Sequence, residues 1–187
     1  IAQQDLDAET RYIPKKVVPS LNGSFSEKVA IIGAGPAGLS CAFYLAEKGY
    51  SPVIFEKNEK PGGMLRYGIP SFKLEKDVID AEIDIIKAMG VEIKCGIEVG
   101  KDVTLDELRA QGYKAFYIAI GCQGGRKAGI PGEDAEGVMT AVDFLRTVGA
   151  DESYPVTGKA VVVGGGNVAM DAARSALRLG AETVYIV

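Results

Sequence analysis

Residues 28–57, KVAIIGAGPAGLSCAFYLAEKGYSPVIFEK, constrain the fold of this chain more than any other stretch. An apolar run from Val29 to Ile32 reads as a buried strand, and Gly33, Gly35 and Gly38 follow at the spacing G-x-G-x-x-G. A helix is expected to about Lys48 with a stop at Gly49, then a second strand that delivers Glu56. The chemistry that needs this order is the cradling of a dinucleotide. The first glycine permits a tight turn, the second lets backbone approach a pyrophosphate, and the third lets helix and strand pack closely. The amides at the helix start and the positive end of its dipole face the phosphates. Glu56, about 20 residues on, is placed to accept hydrogen bonds from a ribose diol.

The rest of the chain narrows the function classes. With 187 residues, 47% hydrophobic and 25% charged, it can bury a real core. Its net charge of −4 gives no footprint for nucleic acid or an anionic membrane surface. No apolar run reaches membrane-spanning length and residues 1–4 do not open a signal peptide, so a cytoplasmic protein is expected. Cys41, Cys95 and Cys122 are far apart and form no CxxC, so this chain alone supplies no redox dithiol and no zinc or iron–sulfur ligand set. Absence of histidine removes Ser-His and Cys-His nucleophile pairs, which points to chemistry carried by a cofactor rather than by a side chain.

Residues 1–27, with Pro14 and Pro19 and the basic Arg11, Lys15 and Lys16, read either as a surface arm or as a disordered tail. Residues 57–75 are long for a plain connection, and Gly62-Gly63 and Gly68-Ile69-Pro70 break any helix there, so a functional loop is expected. Val78, Ile79, Ile83, Ile86 and Met89 recur at helical spacing and predict a packed helix over 77–89 that ends at Gly90. One strand or a broken pair is expected over 91–99. A capping box of Thr104 and Glu107 starts a short helix, and 114–120 forms a strand; together this middle segment extends the first sheet. Thr140 is expected to cap a helix over 140–148, and polar 151–158 marks a domain boundary.

From Lys159 the pattern returns as KAVVVGGGNVAMDAARSALRLGAETVYIV. Aligning Gly164 with Gly33 brings Gly166 onto Gly35, Ala169 onto Gly38 and Gly180 onto Gly49. The fingerprint tolerates alanine at its third position. In this alignment Val187 stands opposite Glu56, and lack of an acid there favours a cofactor with a 2′-phosphate. The expected architecture is α/β, a Rossmann-like parallel sheet with helices on both faces. It divides into an arm over 1–27, a first dinucleotide domain over 28–150 and the opening βαβ unit of a second over 151–187, cut short because two strands and a helix cannot stand alone.

Two fingerprints joined by a connection of about 100 residues, with GGMLRYGIPSFKL within it, resemble one flavoprotein family. It is that of the small (beta) subunit of glutamate synthase, with the flavin- and NADPH-binding region of dihydropyrimidine dehydrogenase among its relatives. The matching stretches are GAGPAGLSCAFYLAEKG at 33–49, EKNEKPGGMLRYGIPSFKL at 56–74, GCQGGRKAGIPGED at 121–134 and GGGNVAMD at 164–171. The resemblance implies FAD on the first turn, held by Gly33, Ala34, Gly35, Pro36, Ala37 and Gly38, with Glu56 on the adenosine ribose. It implies that Glu56, Lys57 and the following residues to Gly62, Gly63, Met64 and Leu65 wrap the flavin side, and that Lys73 approaches the cofactor. Val99 would meet the adenine through its backbone, and Gly121 would touch the flavin. Gly164, Gly166, Asn167, Val168 and Ala169 would cradle NADPH, or NADH in some relatives.

The implied activity is electron transfer from NAD(P)H through FAD to an iron–sulfur domain or subunit. Relatives carry a cysteine-rich iron–sulfur domain ahead of this region and a basic pair beyond the second strand; neither is within these 187 residues. A disulfide reductase of the thioredoxin-reductase kind is disfavoured by the lack of CxxC. A non-catalytic nucleotide-binding or assembly module is the alternative from another class.

Overall fold

The computed structural model describes residues 25–187, so the expectation for the N-terminal arm lies, but for its last three residues, outside the described residues. The chain forms two compact units, one of residues 25–65 and 76–121, the other of residues 66–75 and 122–187. In the first, β1 (Lys28–Ile32), α1 (Pro36–Glu47) and β2 (Val53–Glu56) make a βαβ unit. A one-turn helix α2 (Met64–Tyr67) interrupts the expected loop, and α3 (Lys76–Ala88), β3 (Glu92–Cys95), α4 (Leu105–Ala110) and β4 (Tyr113–Ile118) follow. All pairings are parallel, in the order β3-β2-β1-β4. The middle segment thus supplies both flanking strands, as expected.

The two central strands, β1 and β2, are buried along most of their length, which is why β1 reads as an unbroken apolar run, whereas the edge strand β4 is buried only at Tyr113. Ala30, Ile31 and Ile54 are fully buried, and Ala30, Ile32, Phe55, Leu108 and Tyr113 form one cluster. Leu108 reaches it because α4 starts where its sequence says. The Thr104 hydroxyl accepts from the Glu107 N–H at 3.2 Å, while the Glu107 carboxylate accepts from the Thr104 N–H at 2.7 Å.

The second unit contains α5 (Ala141–Ala150), β5 (Lys159–Val162), α6 (Asn167–Arg178) and β6 (Thr183–Ile186), with β5 and β6 parallel. Thr140 caps α5 by accepting from the Asp143 N–H. Ala169, Ala172, Ala173 and Ala176 give α6 a buried face of small side chains, and it packs on α5, β5 and β6.

The 122–150 stretch, read from the sequence as the tail of the first domain, belongs to this second unit, and so does the 66–75 segment. Side-chain contacts account for the latter. The Phe72 ring lies under the guanidinium groups of Arg178, at 4.0 Å, and Arg174, at 4.9 Å, both on α6. Tyr67 faces Arg146 of α5 at 5.9 Å.

Candidate functional site

At the first turn, Gly33 has φ 106° and its N–H donates to the Phe55 carbonyl at 2.7 Å, so the chain leaves β1 still tied to β2. A Cβ at Gly33 would overlap the Ala119 carbonyl oxygen, and one at Gly38 would overlap the Gly33 carbonyl oxygen. These two glycines are demanded by backbone packed against backbone. Gly35 is different. It caps α1 in extended conformation (φ −79°, ψ −177°) with no side-chain cap, and a Cβ there would meet only the Gly63 Cα at 3.8 Å. Pro36 at the first helical position is compatible with its missing N–H. Pro36 and Ala37 are exposed, while Ala34 is fully buried.

Gly62 and Gly63 close over this turn. The Gly62 N–H donates to the Ala34 carbonyl at 2.8 Å, and a Cβ at Gly63 (φ 53°) would come within 2.7 Å of the Gly35 Cα. Met64 and Leu65 then start α2, half-buried, while Lys57 is exposed.

Glu56 is 4% exposed at the end of β2, and its carboxylate is aimed at the turn. One oxygen accepts from the Ala34 N–H at 2.7 Å; the other accepts from the Asn58 N–H at 2.8 Å and its side-chain amide at 2.6 Å. A carboxylate offers about four acceptor positions. Three are engaged, one by the turn at Ala34 and two by Asn58, which leaves one free to accept. Neither the tie to Ala34 nor the role of Asn58 is signalled by the fingerprint. Val99 is half-buried beside the core and bridges Val103, and Gly121 (φ 68°) ends the first unit with open space where a Cβ would be.

The second turn repeats the backbone of the first. Gly164 has φ 124°, and Gly166 caps α6 with φ −79° and ψ 173°, again with no side-chain cap. The Met170 N–H donates to the Gly166 carbonyl at 3.0 Å, as the Leu39 N–H does to Gly35 at 2.9 Å. The first-turn amides of α1 and α6 are thus left without a side-chain acceptor at the cap position, whereas threonines cap α4 and α5. This donor set, with room at Gly35 and Gly166 for close approach, fits a pyrophosphate at each turn. Gly164, Gly166, Asn167 and Val168 are exposed and Ala169 is buried; its Cβ sits 3.8 Å from where one on Gly164 would be.

One alignment from the sequence is corrected. Ile32 pairs with Phe55 in the first unit, but Val162 pairs with Ile186 in the second, and the Gly164 N–H donates to the Val187 carbonyl at 2.7 Å. Val187 therefore stands where Phe55 stands, because the second crossover has one residue more after its helix-ending glycine. Val187 is thus not the counterpart of Glu56, and its side chain says nothing about a 2′-phosphate.

Lys73, expected beside the cofactor, directs its ammonium to both oxygens of Asp171 on α6, at 2.9 and 3.0 Å. Nothing local in the sequence links two residues so far apart. Among the described residues, no helix is long and apolar enough to cross a membrane.

Comparison with known proteins agrees with this geometry. A mycobacterial oxidoreductase fold, that of Mycobacterium tuberculosis FprA in complex with NADPH, superposes with a TM-score of 0.69 at 25% identity, over 86% of this chain and 42% of that one. The chain is 51% identical over 164 residues to the NADP(+)-dependent formate dehydrogenase subunit beta of Moorella thermoacetica, covering 86% of this chain and 23% of the relative. It is 41% identical over 192 residues to the glutamate synthase [NADPH] small chain of Escherichia coli K12, covering 93% of this chain and 40% of the relative. The chain thus spans well under half the length of these curated relatives. The resemblance read from the sequence is borne out. The model of the pyridine nucleotide-disulphide oxidoreductases matches residues 27–187, and the chain belongs to that family.

Proposed function

We propose that this chain is the two-cofactor core of an electron-transfer flavoprotein, with FAD on the turn after β1 and NADPH, or NADH, on the turn after β5. The observation that carries the reading is the repeated glycine-capped helix start. Both fingerprint helices present first-turn amides without a side-chain cap, where the other capped helices use threonine. Gly33, Ala34, Gly35, Pro36, Ala37 and Gly38 would hold the FAD pyrophosphate, with Glu56 on the adenosine ribose. Lys57, Gly62, Gly63, Met64, Leu65 and Gly121 would line the flavin side, and Val99 the adenine. Gly164, Gly166, Asn167, Val168 and Ala169 would hold the nicotinamide dinucleotide.

When bound, these groups would supply the redox chemistry, hydride transfer from reduced nicotinamide to flavin and single-electron delivery to an iron–sulfur partner. The chain's own residues position and shield; none has to donate or accept a proton. The names of these relatives describe a subunit and a small chain, which supports a place in a larger assembly, and a cytoplasmic location fits a use of reduced nicotinamide.

The test is the visible absorbance of the purified protein and its bleaching by NADPH or NADH. Gly35→Val should remove the flavin and leave the fold, since a Cβ there meets only the Gly63 Cα at ordinary distance. Gly166→Val should keep the flavin and lose the bleaching. A colourless protein that takes up no added FAD would overturn the reading.

A further inference from the structure

Asp171 carries a carboxylate 9% exposed, one turn into the helix whose start is assigned to the nicotinamide dinucleotide. Rising at 1.5 Å per residue, α6 places the Asp171 backbone about 6 Å along the axis from Asn167. A carboxylate at that depth is the same sign as a pyrophosphate at the helix start, and burial of the Asp171 side chain leaves its charge less screened than it would be in water. It also opposes the helix dipole that favours the phosphates. The Lys73 ammonium removes the conflict by donating to both carboxylate oxygens, at 2.9 and 3.0 Å. Arg174, the next cation along α6, lies over the Phe72 ring.

We propose that Lys73, through Asp171, is a positioning residue for the nicotinamide dinucleotide: it neutralises a buried anion behind the phosphate-binding turn and so sets the affinity for the pyrophosphate. The proposal rests on the assignment of NAD(P)H to the second turn. Its rival is a tether that merely holds the 66–75 segment on α6. That segment has other holds, in the stacking of Phe72 with Arg178 at 4.0 Å and of Tyr67 with Arg146 at 5.9 Å. Loss of the ammonium therefore leaves the segment in place and exposes the charge effect.

The two roles separate in a double substitution. Lys73→Met leaves the Asp171 charge uncompensated; Lys73→Met with Asp171→Asn has neither the tether nor the charge. Affinity for NADP+ and NAD+, which bind without turnover, is measured by calorimetry on the flavin-loaded protein, with its melting temperature alongside. We expect Lys73→Met to weaken binding about tenfold with flavin content unchanged, and the double variant to return to within about threefold of the parent. Asp171→Asn alone, which keeps the cation and loses the anion, should bind at least as tightly as the parent, and it serves where Lys73→Met fails to fold. Unchanged affinity in Lys73→Met, a double variant as weak as the single one, or weakened binding in Asp171→Asn would each overturn the proposal. Failure of the parent protein to bind either nucleotide would overturn the cofactor assignment itself, and is distinguishable because it needs no variant.

Discussion

The two glycine turns share their backbone and differ in their enclosure. Gly33 and Gly164 both take φ above 100°, and Gly35 and Gly166 cap their helices in nearly identical extended conformations. Around the first turn, however, the chain closes in: Ala119 abuts Gly33, Gly63 lies alongside Gly35, and the Glu56 carboxylate is bonded to the Ala34 N–H. The second turn stands exposed, with nothing within 4 Å of a Cβ on Gly165 or Gly166. The same local pattern thus occurs in two degrees of enclosure among the described residues, set by what is packed against it.

The largest test of this contrast exchanges the third fingerprint position. Gly38→Ala would drive a methyl group into the Gly33 carbonyl oxygen, a backbone atom that cannot move aside without opening the turn. A loss of about 3 kcal/mol or more in denaturant unfolding is expected, together with loss of flavin. Ala169→Gly in the second copy removes a methyl that has room, and the expected loss is about 1 kcal/mol, the ordinary difference between glycine and alanine in a helix. If both substitutions cost the same, packing does not distinguish the turns.

A smaller effect is expected from Glu56→Gln. The amide has one acceptor oxygen where the carboxylate uses two, so either the Ala34 N–H or the Asn58 amides lose their partner. A buried donor left without an acceptor costs about 1–3 kcal/mol, and flavin should dissociate faster with it. Parent-like melting and parent-like flavin retention in Glu56→Gln would show that the tie to Ala34 is not what closes the first turn.

Much of this was legible because the signals are local. The glycine spacing, the helix stops at Gly49 and Gly180, and the threonine caps at 104 and 140 are each decided by a few neighbouring residues, and each is found where the sequence places it. What escaped reading depends on distant partners. Phe72 and Lys73 look like loop residues until Asp171, Arg174 and Arg178 of α6 are beside them. The register of β6 was misread by one residue because the fingerprint ends at the helix, and a crossover one residue longer leaves the glycine pattern intact. Glu56 was read correctly as an acid at the strand end, but its hydrogen bonds run back to a turn whose geometry only the fold supplies.

The smallest effect concerns the two threonine-capped helices, α4 and α5, both outside the fingerprints. In α4 the Glu107 carboxylate accepts from the Thr104 N–H and hydroxyl, and these bonds, the backbone one first, hold its carboxyl below the ordinary value of 4.5. A carboxyl lowered by folding contributes stability above its unfolded value, and that contribution is lost as pH falls through the lower folded value. Acidification below about pH 4.5 should therefore loosen the start of α4, read as faster amide exchange at Glu107 and Leu108 after correction for the intrinsic pH dependence. Glu107→Gln should remove the pH dependence by fixing the side chain in its uncharged form. In α5 the Thr140 hydroxyl donates to the Asp143 carboxylate at 2.6 Å, but no return bond from that carboxylate to the Thr140 backbone N–H is present among the described residues. Its start should respond to acid less than that of α4, and equal loosening of the two helices would show that the reciprocal bond at Thr104 adds nothing to the cap.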